Sequence, residues 1–147
     1  MLKKSLVVLL SYLPISALSA EFEFSLGGGF QYSGVIGTQF TVKHEESKYF
    51  VSVGLPGYSL GMQTIISDNE FHSAGFSIGE IQGLFDGDSR YGFITYNYHL
   101  NGFRNGGWVF GAGLGVYDEE SYRPMADLKR INPSKKAMFT LDVGYKF

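Results

Sequence analysis

The C-terminal stretch 137–147, AMFTLDVGYKF, has an apolar residue at every second position. The apolar set is Ala137, Phe139, Leu141, Val143, Tyr145 and Phe147. The positions between them are mostly small or polar: Met138, Thr140, Asp142, Gly144 and Lys146. Because successive side chains of a β-strand point to opposite faces, this period of two predicts a strand with one face suited to lipid and the other to a small polar interior.

An export signal is predicted at the other end of the chain. Lys3 and Lys4 precede an apolar run over 6–13, and small residues follow at Ala17, Ser19 and Ala20. This order is typical of a secretory signal peptide, with cleavage after Ser19 or Ala20. The apolar run is too short for a transmembrane helix. We therefore expect residues 1–20 to be a cleavable signal peptide and residues 21–147 to form one mature domain.

The composition excludes several classes of protein. Without Lys3 and Lys4 the chain keeps 10 basic and 14 acidic residues, a formal charge of 10 − 14 = −4, which argues against a nucleic-acid partner. The chain has no cysteine, so it has neither a disulfide framework nor a thiolate metal site. Twenty glycines, 13 phenylalanines and 10 tyrosines with only 18% charged residues favour short strands with aromatic girdles and small inward residues.

Turn residues divide the mature chain into eight alternating segments. The predicted strands cover 21–32, 35–43, 49–55, 58–64, 70–85, 93–98, 107–117 and 137–147. Pro56 and Gly57 separate the third strand from the fourth, because proline cannot donate a ladder hydrogen bond and the pair favours a reversal. An even number of strands brings both termini to one side, as closure of an antiparallel barrel requires.

The direction of the two faces follows from size. An eight-stranded barrel has an interior only just wide enough for side chains, so Phe, Tyr, Leu, Trp and Val from every strand would be crowded inside it. The opposite face of Gly, Ser, Gln and Thr fits there, and a bilayer accommodates the bulky face. The predicted fold is therefore all-β: an eight-stranded antiparallel up-and-down transmembrane β-barrel in a bacterial outer membrane. A soluble ligand-binding barrel is the alternative.

The whole mature chain resembles the small eight-stranded outer-membrane barrels of the OmpX or opacity-protein type. The most specific part is the last strand, where Leu141, Val143, Gly144, Tyr145 and Phe147 resemble the signal read by the outer-membrane assembly machinery. The resemblance implies a monomer in the cell outer membrane whose partners are that machinery and membrane lipids, including lipopolysaccharide. Family members have several long outer loops, whereas this chain has one, which disfavours an adhesin-like role.

Inward-facing charges predict structural ion pairs in the lumen. Glu23 and Lys146 lie near the ends of the first and last strands, which closure makes neighbours, so we expect an ion pair across the seam. Asp142 lies on the same face and needs a partner, because a lone buried carboxylate is costly. Lys43 and Gln31 are the candidates.

No catalytic, cofactor or metal site is predicted. The three histidines, His44, His72 and His99, have no metal-ligand spacing. His72 and Ser73 are adjacent in a strand, so their side chains point to opposite faces and cannot form a catalytic pair. We therefore expect a protein without enzymatic activity, and the alternatives are a lipid A-modifying enzyme or a narrow channel.

The longest predicted loop, 118–135, changes sign along its length. Acidic residues come first, and Arg123, Lys129 and Arg130 follow. Such charges are usually solvated, and the alternative is that the basic half binds lipopolysaccharide phosphates. We expect a filled barrel with a structural role, or with a surface-interaction role carried by this loop.

Overall fold

The structure is a computed structural model that describes residues 21–83, 87–119 and 135–147. These residues form seven β-strands and one 3₁₀ turn, Phe30–Tyr32. The strands are β1 (Glu21–Gly29), β2 (Gly34–His44), β3 (Ser47–Ile65), β4 (His72–Gly83), β5 (Gly87–His99), β6 (Gly107–Glu119) and β7 (Lys135–Lys146). Residues 1–20 and the predicted loop residues Arg123, Lys129 and Arg130 lie outside the described residues.

The strands close into one antiparallel up-and-down barrel. Each strand pairs with the next along the chain, and β7 pairs with β1 to complete the ring. The closing ladder is short, running from Ser25 opposite Lys146 to Gly28 opposite Val143. The ring of ladders is therefore complete without a disulfide, and β7 pairs with β1 over residues 143–146. The predicted all-β barrel fold is therefore confirmed.

The predicted count of eight strands is corrected to seven, because the expected third and fourth strands form the single element β3. Its first half, up to Pro56, pairs with β2, and its second half, from Gly57, pairs with β4. The two halves lie side by side, since the Ser47 hydroxyl donates to the Thr64 hydroxyl at 3.3 Å. The reversal expected at Pro56 and Gly57 is present, but the strand conformation continues through it.

The first strand is shorter than expected, which is a second correction. It ends at Gly29, whose φ of 113° leaves the strand conformation, and Phe30–Tyr32 then form a 3₁₀ turn. Ser33 takes a left-handed conformation with φ of 66° and returns the chain to β2. Alternation places Tyr32 on the outer face, but this turn carries its side chain into the barrel, where it is buried.

The two faces of the barrel have the directions that the sequence predicts. Bulky apolar side chains at mid-strand are exposed, at 36% for Phe24, 60% for Phe40, 65% for Leu114 and 64% for Phe139. Buried positions are mainly polar, including Ser25, Gln39, Thr41, Ser52, Ser59, Gln63, Ser77, Thr95, Asn97 and Thr140. This arrangement is the reverse of a soluble protein, in which the apolar face forms the core.

The connections lie at two ends of the barrel. The end that holds the N-terminus of β1 and the C-terminus of β7, here called the base, also holds the turns over 45–46, 66–71 and 100–106. The opposite end, here called the top, holds the 3₁₀ turn and the reversal at Pro56 and Gly57. Within the described segments, no helix has the length and apolar character needed to cross a membrane.

Candidate functional site: a lumen closed at both ends

Glu23 is the centre of a buried ionic cluster at the base of the lumen. Lys48 Nζ donates to its two carboxylate oxygens at 3.0 and 2.9 Å, and Lys43 Nζ lies 3.2 Å from Oε2. The side chains of Glu23 and Lys48 are almost completely buried, whereas that of Lys43 is partly accessible. Two ammonium groups therefore share one buried carboxylate, and the buried Lys48 depends on Glu23 for its counter-charge.

The expected ion pair between Glu23 and Lys146 is replaced by other contacts. Lys146 Nζ donates to the main-chain oxygens of Gly102 and Phe103, at 3.0 Å each. The reason is the register of the closing ladder, which places Ser25 rather than Glu23 opposite Lys146. Strand register at a seam depends on barrel tilt and shear, which local alternation does not specify.

A turn between β5 and β6 fills the base of the lumen. Phe103 is only 1% exposed, and its ring lies under Lys48 Nζ, 4.3 Å from the centroid, and edge-on to the His99 ring at 5.1 Å. Lys48 Nζ also donates to the Phe103 carbonyl, and Lys43 Nζ donates to the Arg104 carbonyl at 2.7 Å.

Lysines from three strands, β2, β3 and β7, thus bind the main chain of this turn. Their ammonium groups satisfy consecutive carbonyl oxygens, at 102, 103 and 104, that no ladder reaches. Sequence reasoning missed this contact, because Lys48 and Phe103 fall between the predicted strands, where alternation gives no direction for a side chain. Phenylalanine between Gly102 and Arg104 in a polar turn is the one local signal that could have indicated a buried side chain.

Asp142 receives its hydrogen bonds from the 3₁₀ turn at the top. The Gln31 main-chain N–H donates to Oδ1 at 2.9 Å, and the Gln31 side chain donates to Oδ2 at 3.0 Å. Of the two candidates from the sequence, Gln31 is therefore the partner, whereas Lys43 binds Glu23. The Gln31 side chain also donates to Asn97 Oδ1 at 3.1 Å and accepts a hydrogen bond from the Gln63 side chain at 3.2 Å. One residue therefore connects β7, β5 and β3 across the lumen.

Main-chain oxygens of the same turn are satisfied by hydroxyl groups. The Gln31 carbonyl accepts from Ser52 at 2.7 Å and from Ser59 at 3.2 Å. Tyr91 donates its hydroxyl to the Phe30 carbonyl at 2.6 Å, and Ser33 donates to Ser59 at 2.8 Å. The polar residues that alternation directs inward thus bind a turn that folds into the barrel and fills its upper half.

One pair of lumenal side chains has the composition of a catalytic dyad. Ser73 Oγ and His99 Nε2 lie 2.8 Å apart, because the register of β4 and β5 brings the two side chains together on the inner face. Both residues are buried, and His99 Nδ1 has no hydrogen-bond partner among the described residues. A triad would need an acid at that nitrogen to orient the ring. The described part of the chain also contains no group of three or more His, Cys, Asp or Glu residues able to hold a metal ion.

Aromatic rings form a chain over the seam on the outer face. Trp108 contacts Tyr145 at 5.3 Å between centroids, Tyr145 contacts Phe147 at 5.1 Å, and Phe147 contacts Phe24 at 5.8 Å. Phe24 in turn contacts Phe40 at 5.3 Å. The Phe147 main-chain N–H donates to the Phe24 carbonyl at 2.9 Å, so the last residue contributes to closing the barrel.

The remaining residues of the predicted assembly signal alternate as expected. Leu141, Val143 and Tyr145 are exposed on the outer face, and Gly144 is on the inner face. A Cβ atom at Gly144 would collide with the Tyr32 hydroxyl and ring, so glycine provides the space in which Tyr32 lies. The outer face of this strand therefore adds to the exposed apolar surface, and its inner face makes room for the buried Tyr32 side chain.

Together these features define a small closed antiparallel β-barrel with a polar, filled lumen and an apolar outer surface. Comparisons with protein-family models, with curated proteins and with solved structures found no match to the chain. The function is accordingly inferred from the chemistry of the two faces.

Proposed function

We propose that the mature chain is an integral outer-membrane β-barrel protein. The observation that carries the proposal is the band of exposed Phe, Leu, Ile, Val, Tyr and Trp side chains around the barrel, opposite a lumen of buried polar groups. Water would make such a surface strongly unfavourable, since large exposed apolar patches mark binding or membrane surfaces. A bilayer makes it favourable, and a closed barrel satisfies the backbone hydrogen bonds that lipid cannot.

The finer assignment follows the resemblance to OmpX and the opacity proteins. In this proposal residues 1–20 direct export, the last strand is read by the assembly machinery, and the barrel is a monomer surrounded by outer-membrane lipids including lipopolysaccharide. The base then faces the periplasm and the top faces outward. The loop containing Arg123, Lys129 and Arg130 joins β6 to β7 on the outer side, where it is available for surface interactions.

A structural or surface-interaction role fits the lumen better than transport does. The 3₁₀ turn occupies the upper half, with Gln31 and Tyr32 buried, and Phe103 occupies the base. Phe50, Tyr91 and Phe93 are also buried inside the barrel. These buried side chains leave little space for a solute path through the interior.

Membrane insertion is tested by placing a charge on the outer face at two depths. Leu114→Lys introduces it midway along β6, between Ile94 and Phe139, where a bilayer would impose a cost of about 2–4 kcal/mol. Phe22→Lys introduces it at the base end of β1, where the cost in a bilayer is about 0–1 kcal/mol. In a soluble barrel both surface changes would stay within about 0.5 kcal/mol.

The measurement is urea unfolding in phospholipid vesicles, together with gel migration of membrane-fractionated protein with and without boiling. We expect a heat-dependent shift in migration and a clear loss of unfolding free energy for Leu114→Lys only. Equal stability of the two variants, or recovery of the protein in the soluble fraction, would refute membrane insertion.

The Ser73–His99 pair supports a second candidate, an acyl hydrolase acting on lipid A. It is the weaker candidate because both side chains are buried and the imidazole has no orienting acid in the described residues. Lipid A from cells that overproduce the wild-type protein is compared with lipid A from cells that overproduce Ser73→Ala. We expect identical acylation, and a change caused only by the wild type would establish the enzyme.

A further inference from the structure

A hollow interrupts the apolar outer face near the base. One row of paired side chains crosses β1, β2 and β3, with Phe22 opposite Val42 and Val42 opposite Tyr49. The adjacent row holds Phe24, Phe40 and Val51. Val42 is the small residue between two aromatic neighbours and is 36% exposed, compared with 81% for Phe22 and 52% for Tyr49.

The large rings stand higher than the valine between them and so enclose a space above it. This hollow has a volume of about 540 Å³ and is lined by both rows and by Glu23, Thr41 and Phe50, which lie between the two rows along the strands. Volumes of this size are typical of sites for small molecules, which are concave and mostly apolar. The ring pair Phe24–Phe40, with centroids 5.3 Å apart, borders one side of the hollow.

We infer that this hollow, here called the Val42 hollow, binds one acyl chain of a membrane phospholipid. The inference rests on the proposed membrane location, because it needs the outer face to contact lipid. It goes beyond that location by assigning a defined site on three strands, where a chain is held between aromatic walls. The outer face elsewhere would contact exchanging lipids.

Three observations favour an acyl chain over other occupants. The rows of the Val42 hollow contribute aromatic and aliphatic side chains and the Tyr49 hydroxyl, and the two other polar lining residues, Glu23 and Thr41, are buried in the barrel. The hollow is continuous with the exposed apolar band that surrounds the barrel. It also lies at the base end of the strands, beside the turn over 45–46. In the proposed orientation this level of the barrel is near the surface of one phospholipid leaflet.

The test uses the mature protein folded into vesicles of phosphatidylethanolamine and phosphatidylglycerol. A small fraction of the phosphatidylethanolamine carries a photoreactive diazirine in one acyl chain. After illumination and digestion, labelled peptides are identified by mass spectrometry. We expect the label to concentrate on peptides containing 22–24, 40–42 and 49–51 rather than on other outward-facing segments.

Two variants of matched bulk locate the site. Val42→Phe fills the hollow with an apolar ring on the same strand face, so the concentrated label should be lost. Val116→Phe adds the same bulk on β6, between Gly92 and Ala137, and should leave the label unchanged. Heat-dependent gel migration of each variant reports whether the barrel has folded.

The outcomes separate this inference from the proposed function. Label spread evenly over the outward positions of a folded wild-type barrel, or retained by Val42→Phe, would overturn the lipid site while leaving membrane insertion intact. Cross-linked dimers through the same peptides would identify a second copy as the occupant and overturn it too. Failure to enter vesicles at all would contradict membrane insertion itself.

Discussion

Replacing Glu23 with glutamine tests whether the ionic cluster at the base stabilises the barrel. The substitution keeps the shape of the side chain but removes the charge that binds Lys48 at 2.9 Å and Lys43 at 3.2 Å. Lys48 is 2% exposed, so its ammonium group would remain buried without an anion. Breaking a buried ion pair by removing one partner costs about 3–5 kcal/mol, and we expect a loss of unfolding free energy in this range.

Glu21→Gln is the matched control, because Glu21 lies on the same strand and pairs with the same Lys43. Its carboxylate is 3.9 Å from that lysine, and its side chain is 76% exposed, so the loss should stay below about 1 kcal/mol. A second variant, Glu23→Gln combined with Lys48→Met, removes the unpaired charge and should recover part of the lost stability. Recovery would show that the penalty comes from the buried ammonium rather than from altered packing.

The assay is urea unfolding of the barrel in vesicles, followed by the fluorescence of Trp108, the single tryptophan, and by gel migration without boiling. Trp108 lies on the outer face against Tyr145, so its emission reports loss of the folded outer surface. Equal losses for Glu23→Gln and Glu21→Gln would refute the reasoning. An unfolding free energy of Glu23→Gln within about 0.5 kcal/mol of the wild type, the range of ordinary surface substitutions, would refute it as well.

Three further predictions concern the filled lumen. Gly144→Ala places a methyl group against Tyr32 and should lower the unfolding free energy by about 1–3 kcal/mol; Gly92→Ala, whose nearest neighbour is a side-chain methyl at 3.7 Å, should be tolerated, and equal losses would contradict the packing argument. Asp142→Ala leaves the Gln31 main-chain N–H without its acceptor and should reduce resistance to urea by about 1–3 kcal/mol. Asp142→Asn keeps one acceptor oxygen and should lose less, so a larger loss for it would be inconsistent with this account. Finally, single-channel recordings in planar bilayers should show no stable conductance, and reproducible steps would disprove a closed lumen.

The faces of the barrel could be predicted because alternation is a local property of a strand. Alternation places Phe139, Leu114 and Phe24 on the bulky apolar face of their strands, and in the structure that face is exposed. Direction followed from volume, since the glycine and serine face is the only one that a narrow barrel can contain. The reversal at Pro56 was also predictable, because proline restricts the backbone independently of its neighbours.

Contacts between distant elements could not be predicted in the same way. The ring of Phe103 and the main chain of Gln31 enter the lumen from turns, and a turn has no periodicity that gives the direction of a side chain. The partner of Lys146 depends on the register across the seam, which is set by the tilt of all strands together. The Ser73–His99 contact, at 2.8 Å, likewise depends on the register between two strands, here β4 and β5.

Several of the lumenal polar groups bind the main chain of the two turns that enter the barrel. A turn that enters a barrel brings carbonyl and N–H groups that no strand ladder satisfies, and each would be costly if left unpaired. At the base, three lysines supply donors to such carbonyls; at the top, Asp142 accepts the Gln31 N–H while serine hydroxyls bind its carbonyl. The inner face therefore stabilises the two turns that close it. It follows that a binding partner is to be sought on the outer face, where the apolar side chains are exposed.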